Sequence, residues 1–356
     1  MTTQTSVCAQ PEETTMRGVV IHGPSDVRVQ DRPIPQIIEP TDAIVRVVAA
    51  CICGSDLWRY RGINEVDKPT PMGHEYVGVI TELGDDVARE GKLHIGQFVI
   101  GGFTTSCGHC AACSIGQYVA CERMTRYDGC QAQYVRVPNA PGTLVGLDQS
   151  PEREQIPHLL TLSDVMGTGW HAAVSARVEP GHTTVVVGDG AVGLCGVIAA
   201  RQMGAQRVII MSRHPQRAEL AQRFGATDVI AERGAEGAAK VAELTNGLGA
   251  DSVLECVGTH ESVDQALQCA RSGALVGWVG LPHIQQINQE HMFWRGVGIA
   301  GGIAPVRAYL PHLLDLVMEG QIEPGLVFDD QRPLEDAADG YRAMDERESI
   351  KTLLWI

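Results

Sequence analysis

The chain has 356 residues, 44% of them hydrophobic and 20% charged, which is enough to bury the cores of two domains. Its formal net charge of −15 opposes nonspecific association with nucleic acid or an anionic membrane, and no apolar run reaches the ~18 residues that a bilayer span requires. With 40 glycines and only 5% aromatic residues, the composition favours a turn-rich α/β protein.

In chain order, residues 1–15 carry neither a basic region nor an apolar core, so they read as a disordered polar tail and not as a secretory signal. Eleven cysteines without an export signal point to a reducing, cytoplasmic compartment, where cysteine clusters mean metal or catalysis before disulfides. Residues 16–157 show short β segments (VRVVAACIC, EYVGVITELG, HIGQFVIGG, QAQYVRVP) broken by Gly and Pro, the pattern of a small antiparallel, barrel-like domain. Two chemical groups lie inside it, Cys53-Gly-Ser55-Asp56 and Gly73-His74-Glu75. With Asp164 further on, one thiolate, one imidazole and one carboxylate would make an open zinc site with a fourth position for substrate or water. Taken singly, each of these residues is more often a packed side chain than a ligand.

Cys107, Cys110, Cys113 and Cys121 follow in a loop of residues 101–121 that is poor in aliphatic residues. Their spacing suits tetrahedral thiolate coordination of a structural zinc, and His109 between them is not needed as a ligand. The alternatives are four buried thiols or two disulfides. From about Asp164 the pattern changes to continuous apolar runs (TTVVV, RVIIM, DVIAERG, DSVLECVG, ALVGWVGLP) alternating with helical stretches. Strands buried on both faces and joined by helices predict a doubly wound parallel sheet. RAYLPHLLDLVMEG then reads as a helix and SIKTLLWI as a closing strand.

Gly188-Asp-Gly190-Ala-Val-Gly193 directly follows the strand TTVVV and opens a helix, the context that a dinucleotide-binding turn requires. A plain tight turn is the alternative. The next strand ends in Ser212-Arg213-His214 with no acid to accept ribose hydroxyls, and an Arg beside a hydroxyl suits a 2′-phosphate. NADP is therefore expected over NAD, unless Arg213 is simply a solvated surface residue.

Together these motifs resemble the zinc-dependent medium-chain alcohol dehydrogenases over nearly the whole chain, in their NADP-preferring branch with a Cys/His/Asp catalytic zinc. The resemblance implies an α/β architecture in which a GroES-like β-barrel catalytic domain (16–165 and 302–356) is built from both chain ends around a Rossmann domain (166–301). It puts the catalytic zinc on Cys53, His74 and Asp164, with Glu75 as the acid that can approach the metal during ligand exchange and Asp56 orienting the ligand histidine. Ser55 matches the hydroxyl that takes the substrate proton. Thr168 and Val192 match positions against the nicotinamide, Val257 and Val279 further cofactor-binding positions, and Lys351 a basic residue on the pyrophosphate. The relay histidine frequent in the family would fall at Trp58, so the proton needs another way out.

The implied activity is hydride transfer between NADP(H) and an alcohol, aldehyde or ketone, with two zincs per chain. Trp58, Trp170 and Trp294 either line an apolar or aromatic substrate cleft or fill domain seams. The implied partners are a small-molecule substrate and further copies of the chain in a homodimer or homotetramer, with no nucleic acid or membrane. Competing expectations are an NAD-dependent polyol, sugar or amino-alcohol dehydrogenase of the same superfamily, and a non-catalytic dinucleotide-binding protein.

Overall fold

The structure, a computed structural model, describes residues 14–356. The expected tail therefore lies outside the described residues except at its end, where Thr15 already opens the strand Thr15–Gly23. Among the described residues no helix is long and apolar enough to cross a membrane.

The second half of the chain forms a six-stranded parallel sheet. Its strands are, in space, Asp228–Ile230, Arg207–Met211, Thr183–Val187, Ala250–Glu255, Ala270–Trp278 and Gly298–Gly301. In sequence terms this order is third, second, first, fourth, fifth, sixth. The order reverses between Thr183–Val187 and Ala250–Glu255, and the crevice outside the carboxyl ends at such a reversal is where ligands bind in open α/β sheets. Val185, Val186, Ile209, Ile210, Val253 and Leu254 are all fully buried, because helices cover both faces of the sheet. The sequence reading did not extend to the last strand, Gly298–Gly301. It is half glycine and borders solvent, so it lacks the apolar run that marks its neighbours.

The first half builds a curved sheet around the strand Ala43–Cys51. That strand pairs antiparallel with Tyr76–Leu83, with Tyr134–Val137, and with the C-terminal strand Thr352–Trp355, where Leu353 opposes Cys51. Bulges between Ile44 and Val45 and between Val47 and Ala49 bend it, as an extra residue on one strand does. A smaller sheet of Asp26–Pro33, Thr15–Gly23 and Thr70–Pro71 lies alongside. One pairing departs from the antiparallel expectation. Asp330–Pro333 runs parallel to Thr352–Trp355, which is possible because the helix Ala337–Asp345 carries the chain back between them.

The two halves share a core. Cys51, Val77 and Ile100 from the curved sheet belong to one buried cluster with Leu194 and Ile198 from the helix after the glycine turn and with Leu310 and Leu313 from the helix Val306–Met318. The connector is the helix Val165–Ser175, eight of whose residues are buried. It lies so close to the helix Ala191–Gln202 that a Cβ on Gly169 would stand 2.6 Å from the backbone nitrogen of Gly196.

Because the last strand completes the sheet that carries Cys51 and Cys53, its fully buried Leu353 should matter well beyond the C-terminus. Leu353→Ala is expected to lower unfolding free energy by about 2–5 kcal/mol in a denaturant titration. A loss below about 1 kcal/mol would mean that the strand is not integral to the sheet.

Candidate active site

Four donors separated widely in sequence meet at the end of the curved sheet. The Sγ of Cys53, a ring nitrogen of His74 and carboxylate oxygens of Glu75 and Asp164 all lie within 4.8 Å of one another. Cys53 Sγ stands 3.8 Å from Asp164 Oδ2, and His74 Nε2 stands 3.5 Å from the same oxygen. Cys53 leaves the strand Ala43–Cys51 at its carboxyl end, His74 and Glu75 immediately precede the neighbouring strand, and Asp164 begins the connecting helix. His74 needs the glycine before it: Gly73 has φ +93°, and a Cβ there would sit 2.4 Å from Gln131 Cγ.

The surroundings hold these groups in place. Asp56 is buried, accepts the Cys53 backbone N–H at 3.1 Å, and faces His74 Nδ1 at 3.7 Å, which leaves Nε2 directed into the cluster. Gln131 is the hub behind them. Its amide donates to Asp56 Oδ2 at 3.3 Å and to Cys51 O at 3.0 Å, and its oxygen accepts from Tyr341 at 2.9 Å. Thr168 donates to Asp164 Oδ1 at 2.7 Å. Burial pushes the Asp164 carboxyl up, but His74 and Thr168 outweigh it and hold the group below the usual carboxylate range. Burial likewise pushes Asp56 and the Cys53 thiol up, and burial would depress His74 were it not surrounded by Cys53, Asp164 and Asp56, which raise it. Gln131 and Asp128, which lies 4.0 Å from His74 Nδ1, were not among the residues expected from sequence, since neither sits in a motif.

Lys351 departs from its expected place. Its ammonium is not presented to a pyrophosphate. It is 1% exposed and donates to Glu75 Oε1 at 2.7 Å and to Ile52 O at 3.1 Å, underneath the cluster. The strand that ends the chain brings it there, because Thr352 hydrogen-bonds across to Ile52. Trp170 and Trp294 differ in their surroundings. Trp170 is buried with its ring edge-on to His312, and Trp294 is exposed on the helix Gln289–Arg295 against Phe293. Trp58 is half-buried on the short helix after Ser55, and Phe103 stands edge-on to His74 at 6.3 Å between ring centroids, so the neighbourhood of the cluster is partly aromatic.

The cluster suits a cation. Three buried carboxylates and a thiol are set against one ammonium and one imidazole, and Glu75 Oε2 is buried with no hydrogen-bond partner. A soft thiolate with an imidazole and a carboxylate is a donor set that zinc accepts while keeping an open position.

The second group of cysteines is also assembled. The sulfurs of Cys107, Cys110, Cys113 and Cys121 lie within 4.8 Å of one another, and all four are free thiols, so the disulfide alternative does not hold. Cys110 and Cys113 are 3.5 Å apart, close to the roughly 3.8 Å between sulfurs bound tetrahedrally at about 2.3 Å from one zinc. Backbone amides aim at the sulfurs: Cys107 N and Arg123 N at Cys121, and Cys110 N at Cys107. The amides of Cys113 and Glu122 push the Cys110 thiol down to about 6, ready to ligate as thiolate near neutral pH, while burial pushes Cys113 up to about 12. His109 bonds Cys107 O through Nδ1 and faces solvent.

The glycine turn has the shape of a dinucleotide cradle. Gly188 adopts φ +112° and approaches Val257, while a Cβ on Gly193 would fall 2.0 Å from Gly188 O, so helix and strand close up only around glycine. Beside Gly190 there is open space, as a pyrophosphate above the N-terminus of the helix Ala191–Gln202 would need. Val192 sits on the first turn of that helix, Val257 on the turn after Ala250–Glu255, and Val279 just after Ala270–Trp278. All three are half-buried. At the end of the next strand, Ser212 is buried and donates to Asp189 Oδ2 at 2.7 Å, while Arg217 stands 3.5 Å from the other oxygen of Asp189. Arg213 is exposed and has company not foreseen from sequence. Desolvation and then the like charge of Arg213 lower the Arg233 guanidinium, with Asp189 pulling the other way and Arg347 adding to the fall.

Two family models match the chain: an alcohol dehydrogenase GroES-like domain over residues 39–146 and a zinc-binding dehydrogenase over 191–319. Zinc-type alcohol dehydrogenase B of Aspergillus flavus is 34% identical over 98% of this chain and 83% of its own length. Among solved structures, the alcohol dehydrogenase TADH of Thermus sp. ATN1 superposes with a TM-score of 0.87 at 31% identity, covering 96% of this chain and 99% of that one. A protein of Sinorhizobium meliloti 1021 described as a zinc-binding dehydrogenase and solved with NADP superposes at 0.79 and 26% identity, covering 97% and 100%. The chain belongs to the zinc-binding medium-chain alcohol dehydrogenase family. It is a zinc-containing oxidoreductase of GroES-like plus Rossmann architecture.

Removing the Lys351 ammonium would leave Glu75 buried without its neighbour. Lys351→Met is expected to cost about 3–5 kcal/mol of stability by denaturant titration, with much of the loss recovered in the double variant Lys351→Met, Glu75→Gln. If the single variant were as stable as the parent, the ion pair would not be what holds the last strand under the cluster.

Proposed function

We propose that this chain interconverts an alcohol and its aldehyde or ketone with NADP(H), at a catalytic zinc held by Cys53, His74 and Asp164. The observation that carries the reading is the meeting of these three donors with Glu75 and its unpartnered Oε2, next to the helix that leads to the dinucleotide turn. Zinc bound there would act as a Lewis acid on the substrate oxygen, and the nicotinamide would supply or accept the hydride. The chain's own residues do the rest. Asp56 fixes the His74 ring, Thr168 fixes Asp164, and Glu75, balanced by Lys351, would be placed to approach a bound metal. Ser55, half-buried beside Cys53, exchanges the proton of the substrate hydroxyl. Thr168, Val192, Val257 and Val279 are assigned to the nicotinamide side of the cleft. The aromatic faces of Trp58 and Phe103 favour an apolar or aromatic substrate over a polyol.

A second zinc is assigned to Cys107, Cys110, Cys113 and Cys121, where it would staple a loop poor in core residues. Preference for NADP is supported by Ser212 and Arg213, by the gathering of Arg233 and Arg347 beside them, and by the Sinorhizobium meliloti neighbour solved with NADP. Asp189 opposes an extra phosphate, but Arg217 offsets its charge. A homo-oligomer is supported by the outer strand Gly298–Gly301, which among the described residues ends the sheet with its backbone unpaired on one side, close in sequence to the exposed Phe293 and Trp294.

Initial rates of NADPH and NADH oxidation across aliphatic and aromatic aldehydes and ketones test the reading. Turnover of apolar carbonyls with NADPH is expected. Asp164→Ala should lower kcat by about 10³-fold or more without unfolding the protein and remove one zinc per chain, and unaltered kcat would sink the metal assignment. Cys107→Ser should instead lose the other zinc and melt at lower temperature, because structural zinc contributes directly to folding. Ser212→Asp with Arg213→Ala should move the ratio of kcat/KM for NADPH over NADH toward NADH by about 10- to 150-fold, the worth of one charge-assisted hydrogen bond, and an unmoved ratio would refute the NADP assignment.

A further inference from the structure

Oxidation of an alcohol by this chemistry releases a proton as well as a hydride: a secondary alcohol and NADP+ give a ketone, NADPH and a proton. Ser55 is only half-buried but has no free base beside it on its own helix, where position 58 carries an indole. Trp58 is not a bystander in this gap. Its ring stacks on the imidazole of His283, with 3.6 Å between centroids and 33° between planes. Trp58 is one turn beyond Ser55, its backbone N–H bonding Ser55 O at 3.3 Å. His283 comes from the other half of the molecule, on the segment that follows the strand Ala270–Trp278.

The backbone holds His283 in that position. Its N–H donates to Gly258 O at 2.9 Å, and Gly258 N and Val257 N each donate to Glu255 Oε1 at 2.9 Å. Gly258 has φ +88°, and a Cβ there would lie 2.0 Å from Leu281 O, so the two segments meet this closely only around glycine. The imidazole is thus pinned between the turn that carries Val257 and the helix that carries Trp58, and it is exposed to solvent. The groups around it are committed elsewhere. Asp56 is buried on Cys53 N and Gln131, Arg59 is paired with Asp128 at 2.9 Å, and Glu255 is turned inward onto amides, while the segment from Gly280 to Gln289 carries no other titratable side chain.

We propose that His283 is the base that receives the proton from Ser55 and passes it to solvent, an imidazole supplied from the nucleotide-binding half where the catalytic half presents a tryptophan. This rests on the hydride-transfer reading above. The substrate hydroxyl gives its proton to Ser55 Oγ, the Ser55 hydroxyl gives its own through intervening water to an imidazole nitrogen of His283, and the imidazolium loses it to bulk. In carbonyl reduction the same protons run inward. No electrons move along this path, and no further reactant is consumed. Imidazole suits the task because one ring nitrogen can accept a proton while the other gives one up to water. Trp58 positions the ring and takes no proton.

The test compares His283→Phe, which keeps an aromatic ring for stacking but carries no nitrogen, with His283→Ala. Both are expected to lower kcat for alcohol oxidation by about 10²-fold near pH 6.5 with little change in KM, and to lose the rise of kcat with pH expected of the parent. Added imidazole should restore much of the rate in His283→Ala. In cofactor-free protein, the pH-dependent part of tryptophan emission should disappear alike in His283→Phe and Trp58→Phe, since an imidazolium stacked on the indole quenches it. His283→Phe with parental kcat and pH profile, beside an impaired His283→Ala, would overturn the proposal and leave His283 as a stacking residue. Lack of imidazole rescue would overturn it as well. Absence of turnover in the parent protein would instead bring down the hydride-transfer reading, so the two failures are told apart.

Discussion

The close contact of two helices through glycine is the constraint on which the site depends. The helix Val165–Ser175 carries Asp164 at its start and Thr168 one turn on, and the helix Ala191–Gln202 carries the dinucleotide turn at its start. Gly169 and Gly196 let their backbones touch, so a larger residue at 169 would drive the helices apart by more than a side chain can absorb. One donor of the cluster, Asp164, and the cradle for a dinucleotide are therefore fixed to one close-packed pair of helices, while Cys53, His74 and Glu75 come from the strands of the curved sheet beside it. A fraction of an ångström of slack there would be felt at both, and reaction geometry tolerates little misplacement.

Electrostatics sets the second constraint. Buried carboxylates at Asp56, Glu75 and Asp164 beside the Cys53 thiol are costly unless matched by positive charge. Lys351 supplies part of it from the position just before the last strand, Thr352–Trp355, whose pairing with Ala43–Cys51 brings it there. The remaining deficit, with an orphaned oxygen on Glu75, is one that a divalent cation would correct. The same balancing operates beside the glycine turn, where Arg217 stands by Asp189 and Arg233 feels both Asp189 and the like charges of Arg213 and Arg347, in a chain whose net charge is −15. Local field, not overall charge, decides whether an anionic cofactor is attracted.

Much of this is legible in the sequence because it is written in local signals. The glycine turn, the strand before it and the helix after it lie within one short stretch, and four cysteines at close spacing need no fold to be noticed. The wide separation of Cys53 from Asp164 is different in kind: nothing in the spacing brings them together, and the donor chemistry made them a plausible zinc set to which the family resemblance gave weight. Gln131 and Asp128 were invisible, since a single amide or acid outside a motif carries no mark of the network it joins. Lys351 was misplaced for a related reason. A lysine near the C-terminus looks like a solvent-facing or phosphate-facing group, and only pairing of Leu353 with Cys51 shows that its ammonium is driven beneath Glu75. Trp170 and Trp294 had equal claims as cleft or seam residues, and burial against His312 and exposure beside Phe293 separate them from Trp58.

Direct spectroscopy tests whether the helix pair that carries Asp164 and the dinucleotide turn would bring metal and cofactor side by side. Cobalt exchanged into the protein would report coordination through its visible absorption, and titration with NADP+ would report whether the coenzyme reaches the metal's surroundings. The account predicts thiolate-to-cobalt bands from two sites, with one set, absent in Asp164→Ala, that shifts as NADP+ binds. A cobalt spectrum indifferent to NADP+, in protein that demonstrably binds it, would contradict the account.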